Sequence, residues 1–262
     1  MKAILLTIGD FPVRSYGLVV ALAIVLAVGV ASYMSRGTAY RPHILNLALY
    51  AVVGGLLGAR LWEVLFFQWD YYSRHPGEVL AIWEGGVSIQ GALVGGWAAA
   101  LWYARRHKLD FWELSDVVAP ALVFGQGIGR IACLLNGDAY GSPTGSGFGL
   151  VYPPGTAAYA AYGSQPLWPA EVWEGQWDMI VFGLLLMLKN RPWPKGFIFL
   201  AYAILYSVGR FFLEFLRGDS PRYLFDWTAA QWTSAVILVL ALAALAVRLG
   251  KGRRKAGVAD GT

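Results

Sequence analysis

Cysteine is almost missing from this 262-residue sequence, and histidine and charge are scarce. The lone Cys133 excludes an intrachain disulfide. His43, His75 and His107 stand far apart, without the short ligand spacing of a metal centre, so neither a metal nor any other cofactor is expected. Charged residues make up 14% of the chain, well below the roughly 25% of a soluble globular domain. Strict apolar/polar alternation is lacking, which argues against a transmembrane β-barrel. No internal repeat is visible, so the inverted-repeat pattern of many secondary transporters is not in view. The opening MKAILLTI is too short for the apolar core of a signal peptide and runs into Gly9, Asp10 and Pro12; no cleaved leader is expected.

What the chain has in excess is apolar surface: 57% hydrophobic residues and 12 Trp, with a mean hydropathy of +0.51. Apolar segments long enough for a hydrocarbon core about 30 Å thick run over Tyr16 to Met34, Leu45 to Phe67, Val87 to Tyr103, Val117 to Leu135, Val172 to Leu188, Phe197 to Leu216 and Ala229 to Leu249. The third and fifth are the weakest. The expected fold class is all-α: a polytopic membrane protein, a bundle of about seven transmembrane helices in one domain over 1–249, with a small outer-face subdomain in the loop 136–169. A disordered basic tail is expected over 250–262.

Basic residues set the orientation, because they collect on the cytoplasmic side. Arg36, Arg41, Arg105, Arg106, Lys108, Lys189, Arg191, Lys195, Arg248, Lys251, Arg253, Arg254 and Lys255 fall in one set of connections, and only Lys2, Arg14, Arg74, Arg217 and Arg222 in the other. An outside N-terminus and a cytoplasmic C-terminus follow. The net charge of +5 is therefore a topology signal with some attraction to anionic lipid, and no nucleic-acid partner is expected. The loop from Asn136 to Pro169, with no Lys or Arg, is rich in Gly, Pro and Tyr; its length favours a functional role over a plain connector.

Two arginines lie deep inside apolar segments: Arg130 in ALVFGQGIGRIACLL and Arg210 in IFLAYAILYSVGRFFLEFL. A guanidinium there costs roughly 2.5 to 3.5 kcal/mol on insertion scales, so it is expected to face a partner, a cavity or an anionic ligand. Tyr206, Arg210 and Glu214 share one helical face as a polar stripe. Arg130 has no acid at helical spacing, so its counter-charge must come from another helix or from a ligand. Arg60 and Glu63, three apart, read as a self-neutralising pair. Three GxxxG spacings, Gly54/Gly58, Gly91/Gly95 and Gly125/Gly129, read as helix-packing sites. The GxGxG run before Arg130 is no nucleotide fingerprint, because its spacing is wrong and no strand precedes it.

The run GQGIGRIACLLNGDAYGSPT closely resembles the signature of the prolipoprotein diacylglyceryl transferases, seven-helix enzymes of the bacterial inner membrane. SYGLVVALA, GGLLGARLWEVLFF, IWEGGVSIQGALVGG, QPLWPAEVWEG and YSVGRFFLEFLRGD are similar to further blocks of that family in the same order, from about Tyr16 to Asp219. The resemblance implies transfer of the diacylglyceryl group of phosphatidylglycerol to the lipobox cysteine thiol of a preprolipoprotein, with glycerol 1-phosphate released. It implies catalytic roles for Arg130, Arg210, Gln90 and Asp138. Substrate contacts would come from Tyr16, Arg60, Gly91, Cys133, Asn136, Gly137, Gly141, Tyr206 and Glu214.

Negative charge grows on the departing phosphate in this reaction, and fixed guanidinium donors in a water-poor site stabilise it strongly. The sequence departs from the usual family pattern at Gln90, where His is common, at Cys133 for Asn, at Asp138 for Glu and at Trp168 for His. Glutamine orients hydroxyls but takes no proton from a thiol. Asp138, Glu214 or the field of the two arginines would then assist the thiol. Cys133 reads as a small buried side chain. A lipid or anion transporter, or an inactive scaffold of the same fold, are the competing classes; a polar path reaching both membrane faces would mark the transporter.

Overall fold

The computed structural model describes residues 4–8, 11–81 and 85–259. The protein is helical and membrane-embedded, and among the described residues its one named sheet is a short hairpin, β1 (Ile4–Ile8) paired antiparallel with β2 (Phe11–Arg14), which the sequence reading did not anticipate. The helices are α1 (Ser15–Met34), α2 (Ile44–Trp62), α3 (Trp69–Tyr72), α4 (Ile89–Arg106), α5 (Phe111–Asn136), α6 (Ala157–Tyr162), α7 (Ala170–Leu188), α8 (Phe197–Leu213) and α9 (Ala229–Ala259). Each of the seven expected spans coincides with a helix.

Among the described residues five stretches are long and apolar enough to cross a membrane: Ser15–Met34, Arg41–Phe67, Phe111–Asn136, Phe197–Leu216 and Ala229–Gly250. The other two, α4 and α7, are the weakest segments of the sequence reading. The first ends in Arg105 and Arg106, and the second carries Glu171, Glu174 and Asp178. Leu18, Leu22 and Val25 of α1 and Val236, Val239 and Leu240 of α9 are exposed at helical spacing, as lipid-facing stripes should be. The basic tail expected from Gly250 continues α9 as helix to Ala259, while 260–262 lie outside the described residues.

The chain divides into two compact units, 32–114 and a second made of 1–31 with 115–262. Within the first, α2 and α4 meet along a glycine seam. A Cβ on Gly58 would strike the Gly91 carbonyl oxygen, and one on Gly95 would strike the Gly54 carbonyl oxygen. Two of the expected GxxxG sites therefore pack against each other, backbone to backbone. Gly91→Ala should lower stability by about 1 to 3 kcal/mol through overpacking, read by thermal unfolding in detergent. At Gly129 nothing lies within 4 Å; Gly129→Ala should be neutral or stabilising by up to about 1 kcal/mol.

The third glycine pair works differently. Gly125 faces Ala27 of α1, at 3.1 Å from a built Cβ, while Gly127 between the pair faces Met179 and Asp178 of α7. This stretch of α5 thus contacts two helices through different glycines, and the Gly125/Gly129 pairing is not a packing unit.

Arg60 also departs from expectation. Its Nε donates to the Val79 carbonyl at 2.8 Å, Nη1 to those of Gly85 and Gly86 at 2.6 and 2.9 Å, and Nη2 to that of Glu78 at 2.6 Å. The guanidinium stacks on Tyr72, 4.8 Å from the ring centre. Glu63 instead accepts from Gln68 Nε2 at 2.7 Å. The pairing read from their spacing does not form because the returning chain offers the buried guanidinium four carbonyls in a better fork.

In the second unit α5, α7 and α8 share a core of Val123, Val181, Leu185, Ile198 and Ala201. Asp116 of α5 caps α8 from outside it, accepting from Gly196 N at 2.6 Å and Phe199 N at 2.9 Å. A carboxylate satisfies the first amides of a helix and complements its dipole. The sequence Thr228-Ala-Ala-Gln231 forms a reciprocal capping box at the start of α9: Thr228 N donates to Gln231 Oε1 at 2.9 Å, and Gln231 N donates to Thr228 Oγ1 at 3.2 Å.

Candidate active site

Three arginines meet one carboxylate in the second unit. Arg130 Nη1 of α5 lies 2.6 Å from Glu174 Oε2 of α7, Arg210 Nη1 of α8 pairs with Glu174 Oε1, and Arg217 Nη1 lies 3.3 Å from the same Oε1. The helices approach closely because small residues line their crossings. A Cβ on Gly175 would stand 3.2 Å from Arg130 Cβ, and one on Gly209 would run into the Trp177 ring, whose Nε1 donates to the Leu205 carbonyl at 3.0 Å.

Arg210 is held twice, since its Nη2 also lies 2.8 Å from Glu214 Oε2, one turn on. Glu214 is fully buried, and its Oε1 accepts from Thr228 Oγ1 at 2.9 Å. Arg217 forks onto Asp219, Nε to Oδ1 at 2.7 Å and Nη2 to Oδ2 at 2.6 Å. Burial alone would lower the Arg217 pKa; the Asp219 hydrogen bonds and the Glu174 and Asp219 charges outweigh it, so the pKa rises above the usual arginine value. Arg130 is the least engaged. Among the described residues only its Nη1 has an ion-pair partner, which leaves Nε and Nη2 to address a ligand.

The end of α5 shapes the adjoining surface. Gly137 has φ +73° and Gly137 N donates to the Cys133 carbonyl at 2.8 Å, a left-handed helix stop that suits glycine. Asn136 Nδ2 donates to Asp138 Oδ2 at 2.7 Å; among the described residues no donor reaches the buried Asp138 Oδ1. Tyr16 of α1 senses the charges of Asp138 and Arg130 and lies near Cys133.

The loop 136–169 is a small subdomain with its own core, in which Tyr152, Ala158 and Leu167 are buried under Tyr140, Leu150, Tyr159 and Tyr162. It fixes Arg217 through the backbone. Gly141 bridges to Arg217, Ser142 N donates to the Leu216 carbonyl at 2.8 Å, and Gly218 N donates to the Tyr140 carbonyl at 3.0 Å. A Cβ on Gly141 would collide with Trp168, so no larger residue fits there. Tyr152 donates to Glu171 of α7; burial, then that hydrogen bond and the Glu171 charge, raise the phenol pKa well above its ordinary value and keep it a donor.

Of the residues singled out in the sequence, the second unit brings Tyr16, Arg130, Cys133, Asn136, Gly137, Asp138, Gly141, Arg210 and Glu214 towards one end of its helices, with Tyr206 one turn before Arg210 on α8. The charges that act on Tyr206 are those of Arg130 and Arg210, then Asp178 and Glu174. Gln90, Gly91 and Arg60 belong to the first unit. There Gln90 is exposed and accepts from Ser88 Oγ at 2.6 Å, Gly91 lies in the glycine seam, and Arg60 clasps the segment before α4. The sequence reading missed Glu174 and Arg217. Glu171, Glu174 and Asp178 at i, i+3 and i+7 put three acids on one stripe of an apolar helix, and that signal would have found Glu174.

The sequence model of the prolipoprotein diacylglyceryl transferases matches residues 3–247. The chain belongs to this family. It is similar to the phosphatidylglycerol–prolipoprotein diacylglyceryl transferase of Acaryochloris marina, 42% identical over 216 residues, 81% of this chain and 78% of that one. The enzyme of that name from Trichormus variabilis is 37% identical over 255 residues, 93% of this chain and 88% of its own. The one from Geobacillus kaustophilus is 34% identical over 264 residues, 99% of this chain and 97% of its own. The match takes in every helix that contributes to the arginine centre.

Proposed function

We propose that this protein transfers the sn-1,2-diacylglyceryl group of phosphatidylglycerol to the lipobox cysteine thiol of preprolipoproteins, forming a thioether and releasing glycerol 1-phosphate. The observation that carries this reading is the convergence of Arg130 and Arg210, from two different helices, on one buried carboxylate. A lipid phosphodiester brings the same single negative charge as Glu174, likewise spread over two oxygens, and forked guanidinium groups suit both.

In the reaction the thiolate attacks the glyceryl carbon and the C–O bond to phosphate breaks. Arg130, with Nε and Nη2 disengaged, and Arg210 take up the charge that builds on the leaving phosphate. Asn136 and Asp138, at the end of α5, meet the hydroxyls of the departing glycerol, and Tyr16 and Tyr206 border the site. The small subdomain holds Arg217 behind Glu174, so the arginine centre keeps its shape when the anion arrives. The protein sits in the bacterial inner membrane with its N-terminus outside, as the bias of basic residues supports. Both substrates are membrane-held, so they enter laterally.

The test is thioether formation by the purified protein from phosphatidylglycerol vesicles and a lipobox peptide, read by mass. A peptide heavier by one diacylglyceryl group, together with glycerol 1-phosphate, is the expected result. No product in membranes that sustain other transferases of this family would overturn it, and lipid movement without a new bond would mark a transporter.

A further inference from the structure

Asp178 has no part in the chemistry assigned so far, yet it lies in the wall of the same centre. It is only 2% exposed, and among the described residues no hydrogen-bond donor reaches its Oδ2. On α7 it stands one turn beyond Glu174, about 6 Å further along the axis. A Cβ on Gly127 would stand 3.2 Å from Asp178 Cβ, which places the carboxyl against α5 one turn before Arg130. The charged and titratable groups around it are Arg130 from α5, Glu174 from its own helix, and Tyr202, Tyr206 and Arg210 from α8. Tyr202 is turned away, donating to Gln126 Oε1 at 3.0 Å.

The order along the helices gives this position a meaning. Arg130, Glu174 and Arg210 form one layer, Asn136 at the end of α5 and Asp138 just past it lie on one side, and Asp178 and Tyr206 lie towards the middle of the helices on the other. A phospholipid whose phosphate sits in the arginine layer directs its headgroup out past Asp138 and its acyl chains towards the membrane interior. The glyceryl carbon under attack is then on the interior side. In a displacement at that carbon the sulfur approaches opposite the departing phosphate oxygen, so the thiol arrives on the side of Asp178 and not of Asp138. Glu214 is already occupied by Arg210 and Thr228, and Gln90 has no basic atom.

We propose that Asp178 takes the proton of the attacking thiol. The S–H bond breaks with its proton passing to Asp178 Oδ2, the S–C bond forms, and the C–O bond breaks with its electron pair going to the phosphate oxygen. The proton then leaves with glycerol 1-phosphate, which restores the carboxylate. A buried carboxyl whose Oδ2 has no donor among the described residues, set near two guanidinium groups and the Glu174 carboxylate, is placed to accept a proton. The inference rests on the transferase reading above.

The test compares wild type, Asp178→Asn and Asp178→Glu in phosphatidylglycerol vesicles, with a lipobox peptide and with the same peptide carrying selenocysteine. A selenol is ionised at neutral pH and needs no acceptor. Asp178→Asn should lower the rate with the cysteine peptide by about 100-fold or more, lose the acid limb of the pH–rate profile and recover most of its rate with the selenocysteine peptide. Asp178→Glu should keep an acid limb at a shifted position. Equal losses with both peptides, or a wild-type rate and profile in Asp178→Asn, would overturn the assignment; if Asp178→Asn does not fold, an unshifted limb in Asp178→Glu does so. Absence of product from the wild type sinks the transferase reading instead.

Discussion

Arg130→Ala should fold and lose thioether formation, whereas Arg210→Ala should lose product and stability together. The difference follows from what each substitution leaves behind. Without Arg130, Glu174 keeps Arg210 and Arg217, so no buried charge is stranded. Without Arg210, Glu214 is fully buried with Thr228 as its one remaining hydrogen-bond partner among the described residues. Breaking a buried pair from one side costs about 3 to 5 kcal/mol, a large share of the total stability of a typical domain. Loss of one donor to a developing oxyanion lowers turnover by about 100- to 1,000-fold. Arg130→Lys should fall between alanine and wild type, since it keeps the charge and loses the fork. Product formation and thermal unfolding measured side by side decide the matter; equal stability in the two alanine variants would contradict the arrangement of pairs.

Glu174→Gln should have the second largest effect, and of an unusual form. The carboxylate is the common counter-ion of three guanidinium groups, so its neutral isostere leaves them facing each other across a buried site. Lipid-free protein should lose about 3 kcal/mol or more. Phosphatidylglycerol brings an anion back, so the thermal shift on adding it should be larger in Glu174→Gln than in wild type. Unfolding scans in detergent, with and without the lipid, measure both quantities. An unchanged lipid-free midpoint, or a smaller lipid-induced shift, would show that Glu174 and the phosphate do not share the same guanidinium groups.

How far the sequence led depended on the range of the interaction. The spans came through because apolar length is a local property, and the Tyr206, Arg210, Glu214 stripe because four-residue spacing is fixed by the helix itself. That Arg130 needs a counter-charge from elsewhere was legible; that it is Glu174 was not, because the contact joins α5 to α7 across 44 positions that no period connects. Arg217 went unnoticed for a related reason. It stands beyond the last apolar residue of its helix and reads as a loop cation, and its place is set by distant backbone contacts, the bridge to Gly141 and the bonds of Ser142 to Leu216 and Gly218 to Tyr140. Arg60 failed in the opposite way, since helical spacing offered Glu63 while the four carbonyls that hold it arrive from a returning segment. The short hairpin ahead of α1 escaped because its strands carry too few residues for a pattern.

The glycine seam between α2 and α4 has a mechanical corollary. Where main chain rests on main chain there are no rotamers to switch and no side chain to slide, so thermal agitation has little to loosen there. These two helices must travel as a single rod pair through whatever flexing accompanies turnover, and stiffness of that kind survives changes in lipid fluidity that would soften an interface made of leucines.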